Sequence, residues 1–136
     1  MVQAAVSLAV NEGVASTQGL RPTSSWERAG QYISFPKARG VGARFGTDLR
    51  LWREYGRTPV WVTFSPGDWG RAPEVCALLD PWASRIGVTS VTDSEGFSVG
   101  VDLPTGKEMD HVVRAVTDRL RDIAEELRGL GSREER

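Results

Sequence analysis

Histidine and cysteine are nearly absent from the sequence, which contains one of each, His111 and Cys76. A lone thiol excludes an intramolecular disulfide and a thiolate metal cluster, and the two residues together are too few for a structural zinc site. Nucleophilic catalysis of the Ser-His-Asp or Cys-His type needs an imidazole beside the nucleophile. His111 falls at the start of a predicted helix, where we expect it on the surface.

Long apolar runs are also missing. No segment approaches the ~18 apolar residues of a membrane span. Residues 1–16 are apolar but have no Lys or Arg before the apolar stretch, unlike a secretory signal peptide. We therefore expect a cytoplasmic protein without a membrane partner. The net charge of −1 provides no global field for nucleic acid, so binding of that kind must depend on local charge.

The chain has the length and composition of one domain. Its 136 residues are enough to bury roughly two-thirds of the unfolded surface without a disulfide or metal. No internal repeat or second domain is apparent, so we predict a single domain over 1–136. All but two of the 17 basic residues, Lys37 and Lys107, are arginine. Arginine suits bidentate phosphate recognition, although this bias is also typical of GC-rich bacterial genomes.

The first 30 residues are predicted to form a helix and a loop. Polar residues recur every four positions at Gln3, Ser7 and Asn11, and apolar residues fill the intervening positions. This pattern predicts a largely buried helix over 1–13. Residues 14–30 are rich in Ser, Thr, Gly and Pro and are typical of a connecting loop.

A β-hairpin followed by a short helix is predicted next. Residues 32–36 alternate between polar and apolar and, with residues 43–48 after a glycine-containing turn, are typical of paired strands. Residues 49–55 place their apolar side chains on one face, and Gly56 is a suitable residue to end a helix of two turns.

Residues 60–64, VWVTF, form the most strand-like segment of the chain. Their nearly continuous apolar character predicts a central strand that is covered on both faces. We expect Trp52, in the preceding helix, and Trp61, in this strand, to be core residues. Trp69 follows in a loop bracketed by Gly and Pro and is the tryptophan most expected to be exposed.

The second half is predicted to contain a helix and a hairpin. The helix begins near Pro73, and Asp80-Pro81 breaks its last turn. The hairpin strands, residues 86–93 and 96–104, flank a turn at Ser94-Glu95, with one face packed and one face wet.

A long C-terminal helix completes the pattern. Thr105 and Glu108 have the spacing of a capping box, so we predict a helix over 106–130 that ends at Gly131. Its apolar stripe includes Ile123 and Leu127, which we expect to be buried. Residues 131–136 form a charged tail that we expect to be frayed.

The element order α-β-β-α-β-α-β-β-α predicts an α+β fold. We expect a mixed sheet of about five strands, made of two hairpins and the central strand, and packed by helices.

Three acids raise the alternative of a metal-dependent enzyme. Asp48, Asp68 and Glu74 could hold Mg²⁺ for phosphodiester cleavage if the fold brought them together. In Asp48-Leu49-Arg50 a guanidinium stands where a proton-accepting lysine would be needed, and it cannot accept a proton at neutral pH. We therefore expect no catalytic residues, metal or cofactor, with Mg²⁺ required only in this alternative.

Residues 32–65, YISFPKARGVGARFGTDLRLWREYGRTPVWVTFS, resemble a pattern in bacterial proteins that contain nuclease-like domains of the PD-(D/E)XK superfamily. In that pattern a strand with a Phe-Gly pair precedes a short Trp-containing helix, "YG-x-TP" and an apolar strand with a tryptophan. The resemblance covers residues 30–66 and extends more loosely to the later hairpin and helix. It matches an accessory portion rather than a nuclease core and so implies a non-catalytic role.

The basic and aromatic side chains of the middle region predict a binding surface. Arg50, Arg53 and Arg57 have the spacing of one exposed row on a helix, and Trp69 and Arg71 follow in the next loop. Arginines with interleaved aromatics can bind single strands by stacking and phosphate neutralisation. We predict a non-catalytic interaction module that binds a protein or nucleic-acid partner through these five residues. The alternatives are a divergent metal-dependent nuclease and a homodimer joined by the long helix or a sheet edge.

Overall fold

The computed structural model describes residues 1–25 and 28–134. Within these ranges the α-helices are α1 Val2–Asn11, α2 Leu49–Tyr55, α3 Ala72–Ile86 and α4 Met109–Glu134, and a 3-10 turn spans Pro36–Ala38. The strands are β1 Pro22–Ser24, β2 Arg28–Phe35, β3 Val41–Asp48, β4 Val60–Phe64, β5 Ser90–Asp93 and β6 Gly96–Gly100.

The described strands form one six-stranded sheet in the order β1-β2-β3-β4-β6-β5. The predicted α+β fold is confirmed, and the predicted order of elements is correct apart from β1. Every pairing is antiparallel, so the expectation of a mixed sheet is wrong. The reason is that α2 returns the chain beside β3, and the β5–β6 hairpin places β6, rather than β5, beside β4.

The two faces of the sheet have different environments. Helices α1, α3 and α4 pack on one face, where alternate strand residues form the main core; examples are Ile33, Phe35, Phe45, Val62, Phe64, Phe97 and Val99. On the opposite face, the buried apolar residues that the structure describes form a smaller cluster of Leu51, Trp61 and Val91. Because successive strand residues point to opposite faces, each strand contributes side chains both to the main core and to the opposite face. We call the side opposite the main core the open face.

Strand β4 is central, as predicted, and all five of its residues are buried. Val62 belongs to the main core, whereas Trp61 belongs to the open-face cluster beneath α2. Trp61 is 1% exposed, and its indole N–H donates to the Thr58 carbonyl at 2.8 Å. The prediction of Trp61 as a core residue is therefore confirmed.

Trp52 was expected in the core, and this expectation is wrong because its side chain is 47% exposed. Helix α2 is too short to bury two faces, and it directs Leu51 inward against Trp61. Tyr55 remains partly exposed while its ring lies 6.4 Å from that of Trp61.

The N-terminal helix is present over Val2–Asn11, with its polar residues exposed, but the expectation that it is largely buried is wrong, since of its residues only Ala5, Val6 and Ala9 are buried. The expected loop over 14–30 is only partly correct, because it contains β1 and the start of β2. Strand β1 was missed because three residues with Pro and Ser carry no alternating apolar pattern; pairing with β2 defines them as a strand. Trp26 and Glu27 lie outside the described residues.

The predicted second hairpin is present, with Asp93 paired to Gly96 across a turn at Ser94-Glu95. The expected wet face of its second strand is wrong, since all of β6 is buried. Strand β6 lies between β4 and β5, and Ser98 hydrogen-bonds Thr63 through their hydroxyls at 2.9 Å.

Helix α3 does not break at Asp80-Pro81 but continues through Pro81 to Ile86. Pro81 lies on the exposed side of the helix, while Leu79 and Trp82 are buried. We attribute the continuity to this packing, which stabilises the helix despite one missing backbone N–H.

Helix α4 begins later than predicted and extends past Gly131 to Glu134. Gly106 has a φ of +68°, which is not helical, and the carbonyl of Glu108 accepts the first bonds from His111 and Val112. Thr105 is therefore not its N-cap. The tail expected over 131–136 is helical as far as Glu134, and residues 135 and 136 lie outside the described ranges.

Leu127→Ala should lower the free energy of unfolding by about 2–5 kcal/mol, because Leu127 is fully buried in the main core. Chemical denaturation measures this loss. Met109→Ala is the matched control, since Met109 is 59% exposed and its truncation should have little effect. Equal stability of Leu127→Ala and the parent protein would contradict the assignment of this helix face to the core.

Candidate functional site

The open face of the sheet contains a cavity of about 940 Å³. We call it the open-face cavity. This volume lies within the range of pockets that bind small molecules or a short segment of a partner. Its walls come from β2, β3, β4 and the flanking loops, and the side chains that line it are Leu20, Arg21, Arg28, Tyr32, Arg44, Thr63, Ser65, Trp69 and Glu95.

Strand alternation positions the basic side chains. On β2, Ile33 and Phe35 point to the main core, so Arg28 and Tyr32 point to the open face. On β3 the same alternation directs Arg44 to the open face. In the antiparallel pairing Tyr32 is the direct partner of Arg44, which brings an aromatic ring and a guanidinium together.

Asp48 fixes the positions of the basic side chains Arg28 and Arg44. It is 1% exposed at the end of β3, and its Oδ1 accepts a hydrogen bond from the Leu51 amide at 3.1 Å as the N-cap of α2. Its Oδ2 accepts a bond from Arg44 Nη2 at 3.0 Å. The same oxygen lies 3.5 Å from Arg28 Nε, which is buried without a hydrogen-bond partner. One carboxylate therefore caps a helix and fixes two guanidinium groups.

The surroundings of Arg44 disfavour its charged form overall. Burial lowers its pKa, and the neighbouring positive charge of Arg28 lowers it further, while Asp48 and Glu95 oppose the shift. Its Nη2 also lies 3.5 Å from the Thr63 hydroxyl. An additional anion in the cavity would stabilise the charged form of this guanidinium.

Glu95 forms the opposite wall. It lies in the β5–β6 turn, where its carboxylate pairs with Arg28 and lies 3.5 Å from Arg50 Nη2. The Glu95 amide donates to Asp93 Oδ1 at 2.8 Å, and Arg50 Nη2 donates to Asp93 Oδ2 at 3.2 Å. Burial by itself would lower the pKa of Arg50, but its hydrogen bond with Asp93 and the nearby carboxylates raise it overall.

Two aromatic rings form the apolar side of the cavity. The Trp69 ring lies 5.7 Å from that of Tyr32 in an edge-to-face arrangement. The indole occupies the space that a Cβ at Gly42 would fill, and the Gly42 amide donates to the Trp69 carbonyl at 2.8 Å. Trp69 is 38% exposed, in agreement with the expectation of an exposed tryptophan in this loop.

The predicted arginine row does not exist as one helical row. Helix α2 ends at Tyr55, and Gly56 and Arg57 both have positive φ, so Arg57 has left the helix that carries Arg50 and Arg53. The helix ends before Arg57, as the glycine stop predicts, because Gly56 takes a conformation that favours glycine.

The five predicted partner-binding residues are also not equivalent. Arg50 is paired with Asp93, whereas Arg57 donates to Asp102 Oδ2 and to the Gly87 carbonyl, both at 3.1 Å. Arg71 pairs with Glu74, and Arg53 is exposed on α2. Of the five, Trp69 alone lines the open-face cavity.

The three acids of the nuclease alternative are not brought together. The contact between Trp69 and Gly42 places Asp68 near the start of β3, whereas Asp48 lies at its end, about 20 Å away along the strand. Glu74 is paired with Arg71 at the start of α3. Among the described residues, no group of three or more His, Cys, Asp or Glu side chains could hold a metal ion.

Sequence reasoning missed most of the cavity lining. Arg21 and Arg28 fall in the stretch interpreted as a loop, where no alternating pattern marks a strand. Tyr32 and Arg44 did carry a signal, because they alternate with core residues in the predicted hairpin. The contribution of Glu95 depends on a contact between distant strands and had no local signal.

Comparison of the chain with protein-family models, curated proteins and solved structures gave no significant match. In the described part of the chain, no helix is both long and apolar enough to cross a membrane.

Asp48→Asn should destabilise the protein by up to about 3–5 kcal/mol, because two partly buried guanidiniums lose their shared counter-charge. Asparagine remains a good N-cap, so the loss reports mainly on the ion pairs. Denaturant titration measures it, with the exposed Asp68→Asn as the control. An unchanged unfolding midpoint for Asp48→Asn would show that these pairs do not contribute to stability.

Gly42→Ala should displace the Trp69 indole, because a Cβ at position 42 would lie 1.8–2.3 Å from its ring atoms. The indole N–H resonance of Trp69 in a ¹H–¹⁵N spectrum, assigned with Trp69→Phe, reports the displacement. Gly67→Ala is a suitable control in the same loop, since a Cβ there would meet no atom within 4 Å. If both variants leave this resonance unshifted, the described packing of Trp69 is wrong.

Proposed function

We propose that this chain is a non-catalytic interaction module that binds an anionic group of a partner in the open-face cavity. The observation that carries the proposal is the charge around the cavity: among the described residues, Arg21, Arg28 and Arg44 outnumber the carboxylates of Glu95 in the lining and of Asp48 beside it. The chain as a whole has a net charge of −1, so this positive surplus is local. A cavity with such a lining attracts anions by direct pairing.

Preorganisation supports the same function. Arg28 and Arg44 project from paired strands, and Asp48 fixes their guanidinium groups through ion pairs. Binding then orders few side chains, so less of the interaction energy is spent on lost conformational freedom. Of the residues predicted to bind a partner, Trp69 keeps this role directly, and Arg50 acts on the cavity through its contact with Glu95.

The positions of the reactive groups favour binding over catalysis. Asp48 is occupied by Leu51, Arg44 and Arg28, which leaves it poorly placed to act as a base or metal ligand. His111 belongs to α4, in the helical layer on the other side of the sheet. A metal-dependent nuclease needs acidic side chains that converge on one metal ion. Because Asp48 and Asp68 are separated, the nuclease alternative would need a further group to hold the ion.

Arg21→Ala should weaken binding of an anionic probe without unfolding the protein, since Arg21 is exposed at the edge of the cavity. We suggest titration at two salt concentrations with labelled single-stranded oligothymidine and with a labelled poly-glutamate peptide. For the oligonucleotide, the salt slope should fall by roughly 0.7 for a lost phosphate contact.

Arg128→Ala is the matched control, because Arg128 is exposed on α4 and pairs with Glu125 far from the cavity. Its affinity for either probe should equal that of the parent protein. The proposed function is overturned if neither probe binds at low salt, or if Arg128→Ala weakens binding as much as Arg21→Ala.

A further inference from the structure

We infer that the ligand of the open-face cavity is a nucleoside phosphate, either a free nucleotide or one unit of a single strand. Its phosphate lies among Arg21, Arg28 and Arg44, and its base lies against Trp69. This inference rests on the proposed function and specifies the chemistry of the anion. Three features carry it: the donors left on the arginines, the aromatic wall beside them, and the position of Glu95.

The arginines retain hydrogen-bond donors for a phosphate. Within the described residues, both hydrogen bonds of the Arg44 side chain use Nη2, so its other nitrogens remain available. Arg28 Nη2 pairs with the carboxylate of Glu95, so this donor becomes available to a phosphate that displaces Glu95. A phosphate has several acceptor oxygens and can pair with more than one guanidinium at a time, in the bidentate manner that suits arginine.

The aromatic wall stands beside these donors. The indole of Trp69 rests on Gly42, and Tyr32 contacts it in an edge-to-face arrangement, so the ring is held in a fixed orientation. Trp69 is still 38% exposed and lines the cavity. A fixed and partly exposed indole is the type of surface on which a nucleobase stacks, whichever of the bases it is.

An acidic peptide fits the same cavity less well. Its carboxylates would satisfy the arginines, but its aliphatic acidic side chains would leave the indole of Trp69 and the ring of Tyr32 without a planar partner. A nucleoside phosphate presents an anion and a planar ring within one small molecule. Its size also suits a cavity of about 940 Å³.

Glu95 occupies the position of a competing anion. Its carboxylate pairs with Arg28, yet its side chain is 41% exposed, so it can turn towards solvent when a phosphate enters. Removal of its charge should therefore strengthen phosphate binding. A purely structural role for Glu95 would have no such effect.

The test uses the intact chain and three labelled or competing probes: oligothymidine, an abasic oligonucleotide of the same length, and thymidine monophosphate. Fluorescence anisotropy measures their affinities. We expect the abasic strand to bind roughly 5- to 150-fold more weakly than oligothymidine, the factor that corresponds to one stacked base. Trp69→Leu should remove this difference, and Glu95→Gln should tighten binding of every phosphate probe.

Trp52→Leu is the matched control, since Trp52 is an exposed tryptophan that does not line the cavity. It should retain the full difference between the two strands. Circular dichroism checks that each variant is folded, and Glu95→Gln provides an independent readout of opposite sign. Competition by thymidine monophosphate would identify a free nucleotide as a ligand, whereas binding of the strands alone would identify a single-stranded nucleic acid; both results support the inference.

Three results would overturn it. Equal affinity for abasic and base-containing strands would show that the base is not recognised. Preference for poly-glutamate over both strands would assign the cavity to an acidic protein segment. In these two cases the proposed function stands and only the nucleoside phosphate is excluded, whereas failure of every anionic probe to bind overturns both.

Discussion

The carboxylate of Asp48 is the interaction on which the open face depends. It ends β3, caps α2 and holds Arg28 and Arg44 through one oxygen. The helix cap and the two ion pairs depend on one another because Asp48 is buried. A buried carboxylate needs all of its partners to offset the cost of desolvation. The orientation of α2 and the positions of Arg28 and Arg44 in the open-face cavity thus depend on the same carboxylate.

The second constraint is the one-sided packing of the sheet. All three longer helices lie on one face, and an antiparallel sheet tolerates a second face that is only partly covered. On that face small residues leave room for rings, with Gly42 beneath Trp69 and Gly100 beside Trp61. In the strand order, β3 and β4 separate β2 from β6, and the ion pair of Arg28 with Glu95 connects these two parts of the open face.

The sequence predicted the elements whose signal is local. The hairpin of β2 and β3, helix α2 ending at Gly56 and the central strand β4 follow from alternation, helical spacing and a glycine stop. The features that it could not predict depend on contacts between distant segments. Leu51 and Trp52 are adjacent apolar residues of α2, and only the packing of this helix on the sheet makes one buried and the other exposed. Arg21 and Arg28 were missed because pairing with distant segments, rather than a local pattern, places them beside the cavity.

The pairing of Glu95 with Arg28 has a consequence for the ionic response of the cavity. Added salt screens the attraction between the arginines and an incoming anion. It also screens the attraction between Arg28 and Glu95, whose carboxylate the anion must displace. The two effects oppose each other. The dependence of affinity on ionic strength should therefore be shallower than the number of guanidinium contacts implies, and a count of contacts taken from that dependence would be too low.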